Sequence, residues 1–124
     1  MMTVNDTVTL AEFAADIAAI VAAMPDATNP TADDDHHRCV YTRYDGARCI
    51  IGEYLARRGT VIAVDDPYNA TSETAFNVLT AYGYPADVAD AAWELQECAD
   101  PGTRPWRDAY NRWRVSSEHY KPAQ

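Results

Sequence analysis

Apolar residues in this chain recur three and four positions apart in short stretches, and each stretch is cut off by proline or glycine. That spacing puts side chains on one face of an α-helix, and the punctuation limits each helix to a few turns. The chain is thereby directed toward several short amphipathic helices that bury their stripes against one another.

The clearest stripe is Leu10, Phe13, Ile17, Ile20 or Val21, and Met24, and it ends at Pro25. Thr9 followed by Glu12 is a capping-box pattern, and Val8 with Phe13 has the spacing of a hydrophobic staple. A second helix is expected from Cys49 or Ile51, with Tyr54 and Leu55 inward and Gly59 as the residue just past its end. A third runs from Ser72 as N-cap through Phe76, Val78, Leu79 and Tyr82 to Gly83. Pro85 opens a fourth, whose core stripe is Val88, Ala91 or Ala92, Leu95 and Ala99, with Trp93 to one side. After the turn Asp100-Pro101-Gly102, a fifth starts near Thr103 to Pro105 and carries Trp106, Ala109, Tyr110 and Trp113 on one face.

Two stretches lack this periodicity. Residues 25–37 hold two prolines, Asp33, Asp34 and Asp35, and no apolar residue larger than alanine, which reads as an acidic solvated loop with no requirement for order. From Arg38 to Tyr44 the chain is rich in strand formers, Asp45-Gly46 is a turn signal, and Ala47 to Ile50 can return, so a β-hairpin lying against the helices is expected. Thr60 to Val64 reads as a short extended segment stopped by Asp65-Asp66-Pro67. The expected fold is α+β: a compact single domain over residues 1–124, mainly helical, with about five helices, one small β-hairpin and a frayed tail at 121–124.

Charge is distributed in blocks around a net value of −9. Residues 1–35 and 61–103 contain acids and neither lysine nor arginine, whereas 36–60 and 104–124 are net basic. Phosphate binding draws on clustered Lys and Arg, so direct nucleic-acid binding is not expected, whereas a partner protein with a basic surface suits this balance. The N-terminus lacks a basic leader region, and the Ala-rich stretch from Leu10 to Met24 carries Glu12 and Asp16 and is too short to span a bilayer. A cytoplasmic protein without membrane association is the expectation, with its three cysteines reduced.

Thiol and imidazole groups cluster in one stretch, at His36, His37, Cys39 and Cys49, with Cys98 and His119 further on. Structural zinc commonly uses close ligand pairs, and His36 to Cys39 is a loose substitute with no second tight pair. Cys49 at a helix N-terminus would have a lowered thiol pKa, and one of the histidines could act as base, but no third residue orients them. A two-residue turn at Asp45-Gly46 puts Cys39 opposite Gly52 and Cys49 opposite Thr42, so a Cys39–Cys49 disulfide needs a different register. The competing account makes the cysteines small buried residues. The carboxylate runs Asp33 to Asp35 and Asp65-Asp66 lie in loops with no apolar pocket nearby, and the chain lacks a Walker-type loop, GxGxxG and HExxH. No cofactor and no catalytic residue is expected.

The segments Cys39-Val40-Tyr41 and Cys49-Ile50-Ile51-Gly52, followed by Leu55 and Gly59, together with Gln96, Asp100, Gly102, Pro105-Trp106 and Ala109, form a recurring pattern. It resembles that of small proteins of actinobacteria and their phages, and the resemblance covers roughly residues 38 to 110. It implies a phage or host origin, in keeping with nine arginines against the single Lys121, and implies no activity.

Tyrosine and tryptophan outnumber phenylalanine, and both are favoured in protein interfaces for their rigid area and polar tip. Trp93, off the core stripe of its helix, is the candidate surface anchor. The sequence therefore points to a non-enzymatic acidic interaction protein, phage-encoded, that binds and modulates a host protein, with nucleic-acid mimicry as one version. Its candidate contact residues are Asp33, Asp34, Asp35, Asp65, Asp66 and Trp93. The alternative is a small metal- or thiol-dependent enzyme centred on Cys39, Cys49 and the nearby histidines.

Overall fold

The computed structural model describes residues 5–29, 41, 47–62, 74–99 and 104–117, and among them the chain forms five α-helices and no strand. They are α1 (Leu10–Ala23), α2 (Ile50–Arg57), α3 (Ala75–Ala81), α4 (Ala86–Ala99) and α5 (Trp106–Ser116). The fold is mainly all-α, which corrects the expected α+β class.

The expected hairpin fails at its return arm. Cys49 is extended (φ −70°, ψ 168°) and is the N-cap of α2, so Ile50, the last residue of the expected arm, belongs to a helix with Ile51. Two β-branched residues favour a strand only weakly, and here both are fully buried on α2, so packing overrides propensity. Tyr41, from the outgoing arm, sits in a bend, and its backbone lies against Gly52 of α2 rather than against a second strand. Residues 42–46, including the Asp45-Gly46 turn, fall outside the described residues. Thr60 to Ile62, the start of the expected extended segment, is not a strand either. The Thr60 N–H instead donates back to the Leu55 carbonyl at 2.9 Å.

Helix ends follow local rules. Thr9 caps α1: its Oγ1 accepts from the Glu12 N–H at 3.1 Å and its hydroxyl donates to Glu12 Oε1 at 3.1 Å. Helices α2 and α3 both end in a Schellman motif with a left-handed glycine, Gly59 (φ 91°) and Gly83 (φ 88°). In each, the residue after glycine bonds back five positions, Thr60 to Leu55 and Tyr84 to Leu79. Thr74, not the expected Ser72, caps α3 by accepting from the Asn77 N–H at 3.2 Å. Ser72 lies outside the described residues. Pro85 and Pro105 precede α4 and α5 and offer their carbonyls to Ala89 and Ala109. No basic residue lies in the last turn of α4, and the Arg104 guanidinium supplies the missing donor at the Cys98 carbonyl.

Helix α4 is the hub, packing on α3, α5, α1 and α2. Its inner face is Val88, Ala89, Ala91, Ala92, Leu95 and Ala99, all fully buried, and the alanines let neighbouring axes approach closely. Phe13 of α1 meets Tyr54 of α2 and Trp113 of α5 edge to face, with centroids 4.9 and 5.8 Å apart. These rings close the core where α1, α2 and α5 meet. The stretch after α1 also serves the start of α5, because the Trp106 and Arg107 N–H groups donate to the carbonyls of Ala27 and Pro25.

Candidate functional site

The outer face of α4 carries Asp90, Trp93, Glu94 and Glu97 at i, i+3, i+4 and i+7, with Asp87 beside them, and no Lys or Arg occurs anywhere in the helix. Trp93 is 41% exposed, whereas Trp106 and Trp113 are buried. The helix is thus split into a small apolar face that packs inward and an acidic outer face bearing one large aromatic. Asp87 also accepts from the Val88 N–H at 2.8 Å in the first turn, where a carboxylate is favoured by the helix dipole.

Among the residues singled out in the sequence, Trp93 is on the surface as expected. Asp33, Asp34, Asp35, Asp65, Asp66, Cys39, Asp100, Gly102, His36, His37 and His119 lie outside the described residues. The four acids around Trp93 were not singled out, although their helical spacing with it was a readable signal.

The remaining motif residues hold the fold together. Cys49 is fully buried and free, and its Sγ accepts from the Gly52 N–H at 3.3 Å as the cap of α2. A Cβ at Gly52 would collide with the Tyr41 carbonyl oxygen and lie 2.9 Å from its carbonyl carbon, so Tyr41 and Gly52 are interlocked by backbone contact. Gly59 supplies the left-handed residue after α2. Pro105 is the N-cap of α5, and the Trp106 indole N–H donates at 2.9 Å to Asn29 Oδ1. The same Asn29 oxygen accepts from the Ile50 N–H at 2.9 Å, so one buried amide ties α2 to α5. Gln96, 4% exposed on α4, has no hydrogen-bond partner for either amide atom among the described residues.

The structure places Cys98 half-buried beside Asn111, Arg112, Val115 and Ser116 in a surface depression of about 550 Å³ between α4 and α5. Burial pushes its thiol pKa up against the opposing pull of Arg104 and Arg112, which keeps it a poor nucleophile near neutral pH. No group of three His, Cys, Asp or Glu that could hold a metal ion occurs among the described residues. Nor is any helix among them long and apolar enough to cross a membrane.

A polar cleft of about 310 Å³ separates α1 from α2, lined by Asp16, Ala19, Ile20, Tyr54, Arg57 and Arg58. Arg58 is held from behind: its Nε donates to the Tyr84 hydroxyl at 3.0 Å, a terminal N–H donates to Asn5 Oδ1 at 3.2 Å, and Asn5 donates to the Tyr82 carbonyl at 2.9 Å. Its guanidinium lies 6.0 and 5.7 Å from the Tyr54 and Tyr84 ring centres, within cation–π range. Burial pushes the Tyr54 hydroxyl pKa far up, Tyr84 adds to the rise and Arg58 opposes it. The Tyr84 pKa is raised as well, again chiefly by burial. The two hydroxyls also influence each other's ionisation.

No protein-family model, curated protein or solved structure matches this chain. Among the described residues the structure defines five helices, an acidic, tryptophan-bearing outer face on α4 and a small cleft between α1 and α2.

Proposed function

We propose that this chain is a non-enzymatic interaction protein that binds a basic surface of a partner protein through the outer face of α4. The observation that carries the reading is Trp93, a large aromatic left in solvent within a row of four carboxylates on a helix without a single base. An exposed Trp ringed by like charges supplies a hydrophobic anchor with an electrostatic rim, which favours fast, oriented association with a basic partner. The resemblance to proteins of actinobacteria and their phages supports a host protein as that partner. Carboxylates in a regular row on a rigid helix also suit nucleic-acid mimicry, in which the acidic face occupies a cleft made for phosphates.

Affinity capture of the tagged full chain from an actinobacterial lysate, at low and high salt and with competing DNA, tests this against the Trp93→Ala and Glu97→Lys variants. A protein with a basic surface is expected with the unmodified chain at low salt, lost at high salt and lost with both variants while their melting temperatures stay unchanged. Displacement by DNA supports the mimic. Equal capture by the variants overturns the assignment to this face.

A further inference from the structure

Helices α4 and α5 pack side by side, and a mostly apolar depression opens between them, lined by Cys98 of α4 and by Asn111, Arg112, Val115 and Ser116 of α5. Val115 is 86% exposed, more than any other large apolar side chain among the described residues. It lies on the outer side of α5, away from Trp106, Ala109 and Trp113, which face the core. A single exposed valine means little, but one standing beside an apolar hollow offers a patch that a second surface can cover.

Charge divides along the same line. Glu97 of α4 and Arg112 of α5 are both exposed, and both lie close enough to Cys98 to act on its thiol, in opposite directions. They therefore flank the depression at one level, acid on the α4 side and base on the α5 side. Neither has an ion-pair partner among the described residues.

A surface with acid on one side of a hollow, base on the other and an apolar knob beside it is complementary to itself. A two-fold axis running along the depression turns a second copy over, so that its α5 lies above α4 of the first and its α4 above α5. Glu97 of each copy then meets Arg112 of the other, and Val115 of each points into the other's hollow. A two-fold axis across the depression instead sets acid over acid and base over base, so charge selects one arrangement.

We propose that the chain self-associates into a symmetric dimer through this α4–α5 face, with Val115 of each copy seated in the other's depression and Glu97 paired with the second copy's Arg112. The dimer meets the acidic partner-binding face at Glu97 but does not depend on it, because self-association is read on the purified chain with no partner present. Each copy carries a net charge of −9, and that repulsion keeps the dimer weak.

Sedimentation velocity of the full chain from about 10 µM to about 1 mM, at physiological salt, is the test. The sedimentation coefficient is expected to rise with concentration from that of one chain to that of two. Val115→Asp changes a side chain that touches little of its own fold, and is expected to abolish the rise while leaving the melting temperature of dilute protein unchanged. Glu97→Arg and Arg112→Glu each place like charges at both symmetric contacts, and each is expected to weaken dimerisation about tenfold or more. Mixed in equal amounts, these two variants restore an opposite-charge pair at both contacts, and the dimer is expected to return. A single chain at the highest concentration overturns the proposal. So does a dimer that survives Val115→Asp, one that the charge reversals leave untouched, or one whose reversed variants fail to recover on mixing.

Discussion

Asn29 Oδ1 accepts from the Ile50 N–H and from the Trp106 indole, so one 3%-exposed side chain satisfies a donor at the start of α2 and another at the start of α5. Replacing it with alanine strands two buried donors, and Asn29→Ala is expected to cost about 3 kcal/mol in urea unfolding, with a shift in the Trp emission. The two glycines with known surroundings separate steric from conformational cost. Gly83 has open space around it, so Gly83→Ala carries only the price of a positive φ, about 1–2 kcal/mol. Gly52 faces the Tyr41 carbonyl, and Gly52→Ala is expected to cost about 3 kcal/mol or more because backbone must move to admit the methyl group. Thermal melts of the two variants side by side check the order. If Gly83→Ala proves the more damaging, the Tyr41 contact is not what requires glycine at position 52.

Helix α4 shows how one element serves core and surface at once. Its inner face of alanine, valine and leucine packs on four other helices, while Trp93 and the acids project outward. Trp93→Ala is therefore expected to change stability by no more than about 0.5 kcal/mol, whereas Trp113→Ala, which empties a fully buried site against Phe13, is expected to cost about 3–5 kcal/mol. Chemical denaturation of the two variants distinguishes them. The fourth stripe was readable from sequence because Val88, Leu95 and Ala99 repeat at helical spacing. That α4 lies at the centre of the fold was not readable, because alanines give a weak apolar signal and declare themselves only when neighbouring helices are seen to approach them.

Across the molecule, the buried tyrosines set a limit on alkaline stability. Burial raises the folded-state pKa of Tyr54 and Tyr84 above the ordinary value near 10, so the folded chain holds their protons where the unfolded chain releases them. Their stabilising contribution is complete below about pH 10 and is lost as pH rises above it toward the folded-state values. Unfolding followed by tyrosinate absorbance is expected to show stability falling above about pH 10, and a Tyr54→Phe, Tyr84→Phe double variant is expected to flatten that fall. Helix identity and most helix ends were legible along the chain, since capping by Thr9, reversal at Gly59 and Gly83 and stripe spacing all depend on residues a few positions apart, whereas the cap of α3 is Thr74 and not the expected Ser72. Trp93 was legible as an outlier from its stripe for the same reason. The helix expected from Cys49 or Ile51 was legible too, but the return strand expected over Ala47 to Ile50 was not ruled out along the chain, because a β-branched run after a turn signal fits a strand as well as a buried helix start. The Tyr41 carbonyl over Gly52 and the Asn29 side chain at Ile50 N–H settled it in favour of helix. The Asp16, Tyr54, Arg57 and Arg58 cleft likewise arises only where α1 and α2 are brought together, since no local pattern relates an acid on one helix to two bases on another. Propensity and capping act over single turns of chain, whereas cavities, interlocked backbones and shared hydrogen bonds belong to segments that meet only in the folded molecule.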